Sequence, residues 1–125
     1  MCYYGERGNS HGAIYEKIIK IDASIIKPMV SCPHTVDNVK TADELNEIKV
    51  NQVFVGTCTN GRIEDLRVVA KVLKGNKINE NVRMIIAPAS KDIYVQAAKE
   101  GLLEIFLESG ANLIPAGCGP CVGVH

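Results

Sequence analysis

The stretch from Asn51 to Gly75, "NQVFVGTCTNGRIEDLRVVAKVLKG", contains two different hydrophobic periods, and reading them decides the fold. Residues 51 to 57 form a compact apolar run rich in β-branched side chains, the pattern of a strand buried on both faces. Beyond Cys58, the residues Ile63, Leu66, Val69, Ala70 and Leu73 recur at helical spacing, and Gly75 supplies a C-terminal stop. The unit is strand, turn, helix.

The same alternation continues toward the C-terminus. "VRMIIAP" reads as a second apolar strand, "SKDIYVQAAKEG" as a helix with Ser90 at its N-cap, "LLEIFLESG" as a second short helix and "ANLIPAG" as a third strand. Apolar strands that alternate with helices predict an α/β fold of three layers, a mostly parallel sheet with helices on both faces. Ile63, Leu66, Leu73, Leu103 and Phe106 fall where amphipathic helices face such a sheet, so they are expected in the core.

Ligands of parallel sheets bind at the carboxyl ends of the strands. Cys58 comes directly after the first strand of this series, and Cys118 and Cys121 come after the third. A parallel sheet would therefore bring all three thiols to one edge. Around the first of them, "GTCTNG" is small, polar and flanked by glycines, a composition that lets a loop bring backbone N–H groups and hydroxyls close to a ligand. Thr59 and Asn60 have a plainer reading as caps of the following helix.

Upstream the pattern is weaker. Residues 1–14 carry no periodicity and are expected to be irregular or disordered, with a partial α/β domain over 15–125 ending in the CxxC loop. "YEKIIKID" alternates loosely like a strand, "IIKPMVSCPH" is extended and punctuated by proline, and "TADELNEIK" allows one helical turn capped by Thr41 with Glu44 in the capping-box position.

Composition excludes several function classes. The chain has 125 residues, a length suited to one domain, and its 14 Lys plus Arg balance its 14 Asp plus Glu. That leaves no basic footprint for nucleic acid or an acidic membrane. No run approaches the roughly 20 apolar residues of a membrane span, and no secretory signal is visible at the start, so a cytoplasmic protein is expected. Five cysteines, Cys2, Cys32, Cys58, Cys118 and Cys121, are an odd number that argues against a disulfide framework and for metal or thiol chemistry. Cys2 reads as an exposed terminal thiol and Cys32 as a packed small residue beside His34.

The tail "IPAGCGPCVGVH" carries the paired cysteines. A thioredoxin-like centre would need a long helix after them, and only Val122 to His125 remain. A structural zinc site would need four ligands, drawn from Cys58, Cys118, Cys121 and one of Cys32, His34 or His125. One cysteine plus a pair also suits a cuboidal iron–sulfur cluster with one iron left without a thiolate, which would then serve as a Lewis acid toward a substrate hydroxyl.

"VFVGTCTNGRIEDLRVVAKVLKG", the segment from "VRMIIAP" through "CGPCVGVH", and "CPHTVDNVK" together resemble the aconitase superfamily, most closely its 3-isopropylmalate dehydratase large subunits and homoaconitases. The resemblance runs from about Ile18 to the last residue. It implies a [4Fe-4S] cluster held by Cys58, Cys118 and Cys121, and a dehydration–rehydration that moves a hydroxyl between adjacent carbons of a small hydroxy acid, as from 2-isopropylmalate to 3-isopropylmalate in leucine biosynthesis. Thr57, Thr59 and Asn60 match the family's loop around the first ligand and are candidates to touch cluster or substrate. Members of the family are several times longer. The resemblance thus implies that this chain is part of a larger assembly, completed by further large-subunit domains and a separate small subunit, and inactive alone.

Overall fold

The computed structural model of the chain describes Ile14, Glu16, Lys17 and residues 19–123. Cys2, His125 and nearly all of the segment expected to be irregular lie outside the described residues. The chain divides into two compact units, Met1–Glu47 and Ile48–His125.

In the first unit, β1 (Met29–Ser31) pairs antiparallel with β2 (Val39–Thr41), with Val30 opposite Lys40. The intervening "CPHTVDN" closes the hairpin through its own polar groups. Cys32 N–H donates to the Asn38 carbonyl at 2.7 Å, the Asn38 side-chain amide donates to the Pro33 carbonyl at 2.7 Å, and the Ser31 hydroxyl donates to the Val36 carbonyl at 3.1 Å. A 3-10 turn, Ala42–Leu45, comes after Thr41, whose N–H donates to the Glu44 carboxylate at 2.9 Å. The reach-back that defines half of a capping box is present.

"YEKIIKID" is not a strand in its described residues. A 3-10 turn, Ala23–Ile25, begins directly after it, because the Asp22 carboxylate accepts the Ser24 N–H at 2.9 Å and the Ser24 hydroxyl at 2.6 Å. Such local side-chain bonds offer the backbone an alternative to a ladder. They also hold the Asp22 carboxyl below its ordinary range.

The second unit contains β3 (Gln52–Gly56), α1 (Thr57–Asn60), α2 (Ile63–Leu73), β4 (Arg83–Ala87), α3 (Lys91–Lys99), α4 (Leu102–Ser109) and β5 (Asn112–Leu113). The sheet order is β3-β4-β5, and both pairings are parallel. The register places Gln52 beside Arg83, Gly56 beside Ala87, and Ile85 and Ile86 beside Asn112 and Leu113. This is the α/β class with a parallel sheet that the periodicity predicts.

The three longer helices of this unit form one layer. Among the described residues, α2, α3 and α4 pack against one another and share one core with Met84 and Ile86 of β4. The reason is topological: right-handed crossovers that step each time in the same direction across a sheet deposit their helices on the same side. On the opposite side of β4, Ile85 and Ala87 are buried as well.

Leu66, Ile86 and Phe106 each expose 0 % of their surface and form the centre of this core. Burial of that extent stabilises the fold by about 1.5–3 kcal/mol per side chain. Ile63 is also buried, while Leu73 and Leu103 are half-buried and pack against the cluster from its rim. Ser90 caps α3 as its sequence predicts, its hydroxyl accepting the Ile93 N–H at 3.3 Å. α4 ends at Gly110, which adopts φ 96°, and the next residue, Ala111, donates its N–H to the Phe106 carbonyl at 3.0 Å. At the surface of the helical layer, Arg67 grips both oxygens of Glu100 at 2.7 and 2.8 Å. That bond, with a second from Gln96, holds the Glu100 carboxyl below its ordinary range. No described helix is long and apolar enough to cross a membrane.

Candidate metal centre at the sheet edge

Because β3, β4 and β5 are parallel, their carboxyl ends lie along one edge of the sheet, and the segment leaving each strand starts from that edge. Cys58 is the second residue of α1, directly after β3. Cys118 and Cys121 come after β5, with Cys121 inside the 3-10 turn Pro120–Val122. All three are free and exposed. The chain therefore leaves β3 toward Cys58 and leaves β5 toward Cys118 and Cys121 at the same edge of the sheet.

The two arms are built differently. The turn around Cys58 is pressed against the end of β4. A Cβ placed on Gly56, which has φ 125°, would lie 1.8 Å from the Ala87 carbonyl oxygen. A Cβ on Gly61 would lie 2.6 Å from the Thr57 oxygen, 2.7 Å from the Ala87 oxygen and 2.8 Å from the Ala89 nitrogen. Only glycine fits at either end. The Gly61 carbonyl in turn accepts the Ala89 N–H at 2.9 Å. Between the glycines, Thr57 takes φ 69°, a left-handed conformation unfavourable for a β-branched residue.

Among the described residues, the arm carrying Cys118 and Cys121 shows no comparable backbone clasp. Its last backbone bond to the sheet is from Ile114 N–H to the Ile86 carbonyl at 3.0 Å. From Pro115 to Gly123 the hydrogen bonds are internal, from Val122 to Gly119 and from Gly123 to Pro120, each at 3.1 Å.

The group that approaches the glycines of "GTCTNG" closely is the protein's own backbone at Ala87–Ala89. The segment after β4 is the part of the edge that sequence reasoning missed. Paired glycines signal a close approach, but the identity of the neighbour depends on the β3–β4 register, which is not a local property. The capping expectation for Thr59 and Asn60 is also corrected. The N-cap of α2 is Arg62, whose N–H donates to the Asp65 carboxylate at 3.1 Å, while Thr59 and Asn60 belong to the separate turn α1. The Thr59 hydroxyl lies 3.8 Å from the Cys58 sulfur. Thr57 is half-buried and Asn60 exposed.

Among the described residues, no three His, Cys, Asp or Glu side chains stand close enough together to hold one metal ion. The chemistry of the donor set nonetheless suits an iron–sulfur cluster, with three uncommitted, exposed thiols, one single and two paired in sequence. A tetrahedral zinc site is less well served, because it needs a fourth protein ligand. In the hairpin unit, Cys32 is half-buried and its thiol approaches the Val30 carbonyl at 3.9 Å.

Residues 36–125 match the family model of the aconitase family (aconitate hydratase). The chain belongs to the aconitase family. Among curated proteins, this aconitase-family chain is similar to the 3-isopropylmalate dehydratase large subunit of Elusimicrobium minutum, 59% identical over 99% of this chain and 32% of that protein. The large subunit of the same name from Clostridium kluyveri is 55% identical over 98% of this chain and 31% of its own length. In Archaeoglobus fulgidus, 3-isopropylmalate dehydratase large subunit 2 is 52% identical over 90% of this chain and 27% of its own length. The chain thus spans about a third of the length of these relatives.

Proposed function

We propose that this chain is the cluster-binding part of a hydro-lyase that interconverts 2-isopropylmalate and 3-isopropylmalate by dehydration and rehydration. The observation that supports the reading is a parallel sheet whose carboxyl edge releases the chain toward Cys58 after β3 and toward Cys118 and Cys121 after β5, all three free and exposed. The relatives, named as 3-isopropylmalate dehydratase large subunits, suggest the substrate and the subunit arrangement. When bound through three thiolates, a [4Fe-4S] cluster leaves one iron free to polarise a substrate hydroxyl.

Cys58, Cys118 and Cys121 hold the cluster in this reading. Thr59, with its hydroxyl 3.8 Å from the Cys58 sulfur, is placed to donate to that thiolate. Thr57 and Asn60 flank the same ligand and present polar groups toward cluster or substrate. A separate small subunit and further large-subunit domains would supply the groups that hold the carboxylates and move the proton. Such groups act as a unit, so the chain alone is expected to show no measurable isomerisation.

Anaerobic reconstitution with ferrous iron and sulfide tests the reading. The chain is expected to take up about four irons with broad visible absorption, and Cys58→Ser, Cys118→Ser and Cys121→Ser are each expected to lose that cluster, while Cys2→Ser and Cys32→Ser keep it. Retention of a full cluster by Cys58→Ser would contradict the assignment. Stoichiometric zinc that depends on Cys32 or His34 would replace it with a structural metal site.

A further inference from the structure

The asymmetry between the two arms of the sheet edge bears on how the site assembles. The Cys58 turn is clasped at both ends, by Ala87 against Gly56 and by Ala87 and Ala89 against Gly61, and is tied to Ala89 by a backbone hydrogen bond. The clasp also keeps Thr57 at φ 69°, a conformation that a free turn would leave. Among the described residues, the arm with Cys118 and Cys121 makes no backbone hydrogen bond to the sheet after Ile114. Among the described residues the three thiols do not form a metal-holding group, and they can become one only if one of the arms moves.

We infer that Gly56 and Gly61 are positioning residues that present Cys58 as the preformed ligand, and that the Cys118–Cys121 arm closes onto it when metal is taken up. The inference rests on the proposed cluster and deepens it by stating which part of the site is built before the cluster arrives. Preorganising one ligand confines the ordering cost of binding to the other arm. Gly61 acts through Cys58 by letting the turn close against β4, because the space a side chain would need is filled by the Thr57, Ala87 and Ala89 backbone.

Two glycines separate this role from ordinary backbone strain. Gly61 has φ −111°, which any residue adopts, so Gly61→Ala introduces a clash alone. Gly75 has φ 76° with nothing within 4 Å of a Cβ, so Gly75→Ala introduces strain alone.

The test measures amide hydrogen exchange of the whole chain by mass spectrometry before and after anaerobic loading with ferrous iron and sulfide. Loading is expected to slow exchange over 115–123 by at least about tenfold and to change 56–61 by less than about twofold. The Ala89 amide is expected to be protected already in the unloaded chain. In a parallel arm, the rate at which the visible absorption is lost on challenge with a chelator is expected to rise at least about tenfold in Gly61→Ala and to stay unchanged in Gly75→Ala, with thermal melting recorded for both. Equal slowing of both arms on loading would overturn the inference, and so would a Gly61→Ala chain that holds its cluster as well as the parent. If Gly61→Ala does not fold, the exchange pattern of the parent decides the matter. A parent chain that takes up no iron would overturn the proposed function together with this inference, whereas a parent that loads iron with both arms slowing equally overturns this inference alone.

Discussion

In the hairpin Met29–Thr41 every strand residue is exposed or half-exposed, whereas in β4 all four residues from Met84 to Ala87 are buried. The hairpin is held by short polar bonds within its own loop, centred on Asn38, while the β3–β5 unit is held by side chains far apart in sequence, centred on Leu66, Ile86 and Phe106. The difference teaches where cooperativity resides. Local hydrogen bonds, each with a net contribution of about 1 kcal/mol, shape a loop but do not couple distant segments, whereas burial couples every element that touches the core.

Phe106→Ala is the strongest way to break this contrast. It empties a site with no exposed surface at the meeting of α4 with the sheet, and the expected loss is about 3–5 kcal/mol in denaturant unfolding followed by far-UV circular dichroism. Val30→Ala, in β1, is expected to stay within about 0.5 kcal/mol in the same measurement. A comparable loss at both positions would show that the hairpin shares a buried core and would erase the distinction.

Asn38→Ala sharpens the contrast from the other side. Its amide closes the "CPHTVDN" loop on the Pro33 carbonyl, so its loss is expected to cost roughly 0.5–1.5 kcal/mol of local order. Exchange at the Cys32 amide, which donates to the Asn38 carbonyl, should accelerate, while the melting of the β3–β5 unit stays put. A shift of the global melt would mean that the loop is part of the cooperative unit.

The smallest effect concerns pH. Arg67 and Gln96 hold the Glu100 carboxyl below its unfolded value, so the stabilisation from this group is fully present above the unfolded carboxylate pKa. It is lost as pH falls through the folded value, because the unfolded chain then binds the proton more readily. Glu100→Gln is expected to flatten the acid limb of a stability–pH curve slightly and to leave neutral pH nearly unchanged, since the pair is partly exposed and screened. An acid limb identical to that of the parent would show that the pair is inconsequential.

Legibility in the residues alone divides along the same line. β3, α2, β4, α3 and α4 are legible because period and punctuation are local: the helical spacing from Ile63 to Leu73, the Ser90 cap and the glycine at position 110 all act within a turn or two. The release of the chain toward Cys58 and toward Cys118 and Cys121 from one edge is legible because parallel strands all end at the same side of the sheet. The gathering of the helices in one layer is not, because it depends on the order in which strands are laid down. "YEKIIKID" resembles a strand since alternation shows a face and not a partner. Thr59 and Asn60 resemble caps since their side chains suit that role, and the observed cap at Arg62 rests on Asp65 reaching back. The clasp on Gly56 and Gly61 depends on a strand some thirty positions away, so the paired glycines announce a contact and conceal its identity.

The bond from Ile114 to Ile86 also sets the length of a tether. Cys118 lies four residues beyond that anchor, and a fully extended chain advances at most about 3.3–3.6 Å per residue, so its backbone can stray no more than roughly 14 Å from the sheet. The leash makes Ile114–Gly117 a spacer in which residue number matters more than residue identity. An added residue would lengthen the reach of both paired thiols at once, and a deleted one would shorten it, without altering a single sulfur ligand.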